Sequence, residues 1–141
     1  MIHNIRFRLF VYEWEKQEDL TQAIFNILLE AEIIVEEAEG ITGDKILILS
    51  GTINKKKYTK EFFNNLLALD KDQLNKLDND FERKIDDNGN LFLRFSKEDA
   101  LNEKWTIVDS GDTLHLKVKI AAYPARKEIA INKVRDAINN Q

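Results

Sequence analysis

Three stretches of this chain alternate strictly between apolar residues and residues that are cationic or aromatic. Ile5, Phe7, Leu9 and Val11 alternate with Arg6, Arg8, Phe10 and Tyr12. Leu91, Leu93 and Phe95 alternate with Phe92 and Arg94, and Leu114, Leu116, Val118 and Ile120 alternate with His115, Lys117 and Lys119. Successive side chains on a strand point to opposite faces, so each stretch reads as a strand with one oily face and one face of different chemistry. A sheet built from such strands has to be covered on one side only.

The remaining segments supply the cover. Leu20, Ala23, Ile24, Ile27 and Leu28 make a helical stripe within Glu18 to Leu29. Glu32 to Glu37 and Lys45 to Ile53 read as two strands of a hairpin, joined by a turn that contains Gly40 and Gly43. Phe62, Phe63, Leu66 and Leu67 form a second helical stripe; after Asp70, an expected N-cap, Leu74, Leu77, Phe81 and Ile85 form a third. Asp87-Asn88-Gly89-Asn90 is turn chemistry that opens the strand at Leu91, and Ser96 with Asp99 is expected to cap one short helical turn. Trp105 to Val108 is expected to pair across Asp109-Ser110-Gly111-Asp112 with the strand from Thr113. Pro124 suits the first turn of a final helix that carries Ile129, Val134 and Ile138 inward.

The order β-α-β-β-α-α-β-β-β-α lacks the regular strand-helix alternation of a parallel sheet. It predicts an α+β fold, a mainly antiparallel sheet backed by helices, over residues 1–141 as a single domain. No run of about 18 apolar residues is present, and the opening MIHNIRFRLF alternates instead of forming a signal-peptide core, so a soluble cytoplasmic protein with no membrane contact is expected.

Charge is unevenly placed. The formal net charge is −4, yet residues 1–12, 91–96 and 113–127 together hold seven Lys or Arg and no Asp or Glu. The rest of the chain holds fourteen basic and 25 acidic residues. Parity puts His115, Lys117, Lys119 and Tyr123 outward beside Arg6, Arg8, Phe92 and Arg94, with Arg126 and Lys127 just beyond. Lys and Arg neutralise phosphates, and rings among them offer stacking surface for unpaired bases, so the pattern fits single-stranded or looped RNA. The same pattern also fits a solvated face on which charge prevents edge-to-edge aggregation.

Catalytic chemistry is sparse. The chain has no cysteine and two histidines; His3 falls on the inward parity of its strand and His115 stands alone among lysines. Gly40 and Gly43 are not followed by the Lys-Ser/Thr of a phosphate loop, and the acidic runs Glu36-Glu37, Asp78/Asp80 and Asp86-Asp87 match no calcium loop. No enzyme activity, cofactor or metal is expected.

The segments MIHNIRFRLFVYE, GDKILILSGTI, DDNGNLFLRFSKEDA and GDTLHLKVKIAAYPARKE together resemble an archaeal family described as RNA-binding proteins and exosome subunits. The resemblance spans nearly the whole chain. It implies a fold like that of ribosomal protein L5, RNA contact, and association with exosome components in RNA processing or degradation. The expectation is therefore a non-catalytic RNA-binding module that uses Arg6, Arg8, Phe92, Arg94, His115, Lys117, Lys119, Tyr123, Arg126 and Lys127. The alternative is a protein-interaction subunit, such as a homodimer, that uses the same face or the acidic helices.

Overall fold

A computed structural model describes residues 1–140. The elements are β1 (Ile2–Val11), α1 (Gln17–Ile27), β2 (Ile34–Glu39), β3 (Lys45–Ile53), α2 (Lys56–Leu67), α3 (Lys71–Lys84), β4 (Asn90–Ser96), α4 (Lys97–Leu101), β5 (Thr113–Ile120) and α5 (Lys127–Asn139). The strands form one sheet in the order β2-β3-β1-β5-β4, every pairing antiparallel. This is the mixed α+β architecture expected from the alternation. Among the described residues no helix is long and apolar enough to cross a membrane.

The oily parity of the sheet carries the core. Ile5, Leu91, Leu93, Phe95, Leu114, Leu116, Val118 and Ile120 are completely buried, under a layer made by Leu20, Ala23 and Ile24 of α1, Phe62 and Leu66 of α2, Leu77 and Phe81 of α3, and Ala130 and Val134 of α5. Each large aliphatic or aromatic side chain so buried contributes about 2 kcal/mol. Local chemistry sets the element ends. The Asp70 carboxylate accepts the Gln73 amide at 2.9 Å to start α3, and the Ser96 hydroxyl accepts the Asp99 amide at 3.2 Å to start α4. Before β4, Gly89 turns the chain at φ +80°, while one oxygen of Asp86 accepts the Asn88 and Asn90 amides, each at 2.9 Å.

Three expectations are corrected. Trp105–Val108 is not a strand paired with β5: both edges of β5 are already taken, by β1 and β4. The segment lies on the free edge of β4 instead, where the Ser96 amide donates to the Thr106 carbonyl and the Val108 amide to the Arg94 carbonyl. The Gln73 side chain holds its other side, donating to the Trp105 carbonyl and accepting the Ile107 amide, both at 2.9 Å. The last helix starts at Lys127 with Arg126 as N-cap, so Pro124 precedes it and does not occupy its first turn. His3 is exposed because the β1–β5 register slips between Ile2 and Asn4, a bulge that leaves His3 as the extra residue.

Gly51 reports how tightly the centre of the sheet is packed. A Cβ there would sit 2.4 Å from the Glu32 carbonyl oxygen and 2.6 Å from Cζ of Phe7, whose strand pairs with Gly51 directly. Gly51→Ala is expected to lower the unfolding free energy by about 1 to 3 kcal/mol in urea titrations. Adding Phe7→Leu should recover only the part of that loss due to the ring, since the Glu32 carbonyl is backbone, and an unchanged midpoint for the single variant would contradict the close approach.

Candidate nucleic-acid interface

The register turns the outward parity into rows. One row runs Ser50 (β3), Arg8 (β1), His115 (β5), Arg94 (β4); the next runs Thr52, Arg6, Lys117, Phe92; a third joins Asn4, Lys119 and Asn90. Directly opposed residues on neighbouring strands have Cβ atoms about 5 Å apart. Arg6 therefore faces Lys117, and Arg8 and Arg94 flank His115 from both sides. The helical layer lies against the opposite face, and Arg6 and Arg8 are exposed.

Ion pairing does not relieve this concentration of charge. Among the described residues, no carboxylate makes a salt bridge with Arg6, Arg8, Arg94, Lys117 or Lys119. One carboxylate acts on the face without forming a salt bridge: against the cost of burial, hydrogen bonds from Asn90 and Asn88, and then the charge of Lys117, hold the Asp86 carboxyl below its ordinary range. Other carboxylates pair with other cations. Asp109 contacts Lys76, Arg83 and Lys84, Asp78 contacts Arg135, and Glu37 contacts Lys45. Like charges opposed across a strand pair are destabilising. Nor do they protect an edge here, because β1 and β5 are inner strands, with β2 and β4 at the edges.

Rings sit among the cations. The Arg8 guanidinium lies 5.5 Å from the Phe10 ring centre and Lys117 Nζ 6.0 Å from that of Phe92. Phe92 and His115 are stacked, with centres 6.1 Å apart and planes at 19°. Two of the cations also have neutral partners: Arg94 donates to the Gly111 carbonyl and the Thr113 hydroxyl, and Lys119 donates to the Asn88 carbonyl. Burial first, and then the nearby Arg94 and Arg8, hold the His115 imidazole below its ordinary pKa of 6.5. It is therefore a neutral stacking group at pH 7.

Seven of the ten residues picked from sequence, namely Arg6, Arg8, Phe92, Arg94, His115, Lys117 and Lys119, share this face. The other three do not. β5 ends at Ile120, so strand parity no longer directs Tyr123, which projects fully into solvent past the sheet's end. Arg126 is exposed at the entry to α5. Lys127 is turned to the helical layer, where its ammonium meets Glu82 of α3 at 3.2 Å. Sequence reasoning passed over Asn4, Ser50, Thr52 and Asn90, polar members of the same rows, and also Trp14. Strand parity does not mark Trp14, because β1 ends at Val11 and Trp14 lies in the turn that follows.

A family model described as RNA binding matches residues 4–120, from Asn4 in β1 to the last residue of β5. The chain belongs to this RNA-binding family. RNA-binding protein PAB1135 of Pyrococcus abyssi is 29% identical over 146 residues, spanning 99% of this chain and 95% of that protein. The structure of Mth689, a DUF54 protein from Methanothermobacter thermautotrophicus, matches with a TM-score of 0.88 at 36% identity, covering 98% of each chain. The relatives are archaeal, and the shared architecture covers the whole sheet and its helices.

The depressed pKa of His115 gives a pH dependence with a definite sign. The folded state binds the imidazole proton less tightly than the unfolded state, so the stability this group contributes is complete above about 6.5 and is lost as pH falls toward the folded pKa. An NMR titration of His115 should give a midpoint below 6.5 in the free protein. Bound RNA phosphates, by neutralising Arg8 and Arg94, should raise it. A free-protein midpoint at or above 6.5 would contradict this electrostatic description.

Proposed function

We propose that the outward face of β1, β5 and β4 is a non-catalytic RNA-binding surface, with phosphates at Arg6, Arg8, Arg94, Lys117 and Lys119. The observation that carries this reading is the placement of like charges opposite one another on two inner strands, without a salt bridge among the described residues and without an edge to protect. A polyanion laid across the rows would neutralise those charges and release its own counterions. Phe92 and His115 supply a ring pair for an unpaired base in the middle of the face. Membership of the RNA-binding family and the name of PAB1135 support the same ligand. The resemblance to exosome subunits suggests a setting for it, in which the surface holds RNA for a processing or degrading assembly.

A dimer formed through the open edge of the sheet has less physical support. β2 is the open edge of the sheet and exposes Ile34 and Val35, but Glu36, Glu37 and Glu39 follow on the same short strand. Two such edges brought together would oppose carboxylates.

Ionic strength tests the proposal directly. Each phosphate contact on a single strand contributes about 0.7 to the slope of log affinity against log salt. Arg6→Gln with Lys117→Gln should therefore weaken binding to a short single-stranded RNA and flatten that slope by about 1.4, with the thermal midpoint unchanged or raised. A double variant that stays folded and keeps the wild-type slope would remove the face from the account.

A further inference from the structure

Beyond the cationic rows, a column of rings begins at Phe10 of β1 and continues into the turn that follows. Phe10 meets Tyr12 edge to face at 6.4 Å, and Tyr12 is stacked on Trp14 with planes at 5° and centres 4.9 Å apart. Trp14 is 78% exposed, so most of its ring surface beyond this stack is bare. The column is held rigidly although it lies in a turn. The Glu15 amide donates to the Tyr12 carbonyl, and the Glu15 carboxylate accepts the Tyr12 amide at 3.1 Å. That carboxylate is fixed in turn by the buried ammonium of Lys97, at 2.9 Å, which also reaches the Phe10 carbonyl and Asp112, each at 2.8 Å. The same ammonium lies 5.3 Å from the Tyr12 ring centre.

We infer that this column takes one unpaired base of the bound RNA on the free face of Trp14, with a neighbouring phosphate on Arg8 and Arg94. The inference rests on the RNA reading of the sheet face and adds to it a place and a preference. A stacking surface needs no charge, but the backbone that carries the base needs a cation within reach. A pocket of about 170 Å³, lined in part by Arg8, Phe10, Tyr12, Arg94 and His115, joins the column to the cationic rows. Lys97 pairs with both Glu15 and Asp112 and offsets one of their two negative charges, so the backbone that carries the base is placed on the side of Arg8 and Arg94. A tryptophan already stacked on Tyr12 loses less conformational freedom than an unstacked ring when a base settles on it. Bases inside a duplex cannot reach such a ring, so the column selects single-stranded or looped RNA over a closed stem.

The probes are a short single-stranded oligoadenylate and a closed RNA hairpin stem, added to protein carrying fluorine-labelled tryptophan. The resonance of Trp14, identified by its loss in Trp14→Phe, should shift with oligoadenylate and not with the stem, while that of Trp105 stays in place. Trp14→Ala should weaken oligoadenylate binding about fivefold to a hundredfold without changing the salt slope, and Trp14→Phe should restore most of it. Wild-type affinity in Trp14→Ala, with an unmoved Trp14 resonance, overturns the column. If the Arg6→Gln, Lys117→Gln variant still loses slope in that case, the cationic face survives the failure; if it does not, both readings fall together.

Discussion

The structure depends on the position of β1 inside the sheet. With β3 on one side and β5 on the other, β1 has no freedom of register, because a slip of one residue would send Ile5, Phe7, Leu9 and Val11 to water and bring Arg6 and Arg8 under the helices. The desolvation penalty for those two guanidinium groups would be comparable to the whole stability of a domain this size. Parity on one inner strand thus separates an oily face from a cationic one, and its neighbours copy the separation. All five helices gather on the oily side as a result. What they leave open is a sheet surface on which charge density is set by strand spacing.

The same constraint explains why so much was legible beforehand. Strict alternation is local information, so β1, β4 and β5, their inward residues and the seven outward residues of the face could all be read from the chain. The cap at Asp70 and the short turn after Ser96 were equally local. What escaped depended on competition between distant segments or on where an element stops. Trp105–Val108 has the composition of a strand, but its intended partner edge belongs to β1, and Gln73, 34 residues before Ile107, helps decide where it rests. Parity carries no information past Ile120, which is why Tyr123 and Lys127 left the face, and a one-residue bulge was enough to misplace His3.

Net charge hides the arrangement. The acidic residues that outnumber the basic ones lie on helices and loops, and many are engaged there: Asp109 binds its loop to α3, Asp78 ties α3 to α5, and Glu15 with Asp112 closes around Lys97. A polyanion approaching from the helical side meets repulsion, and from the sheet side meets attraction, so the field itself orients the encounter before any contact forms. Membership of an RNA-binding family and the physical asymmetry of the molecule point to the same ligand by independent routes.

The central claim is that one side of the sheet, and not the helical layer, meets RNA. Mapping NMR shift changes as a short single-stranded RNA is titrated in tests it most directly. The account predicts that the largest changes fall on the side-chain and amide signals of residues 4–10, 90–94 and 115–119, while α2, α3 and α5 stay near their free positions. Changes concentrated on those helices, with the sheet face unmoved, would contradict it.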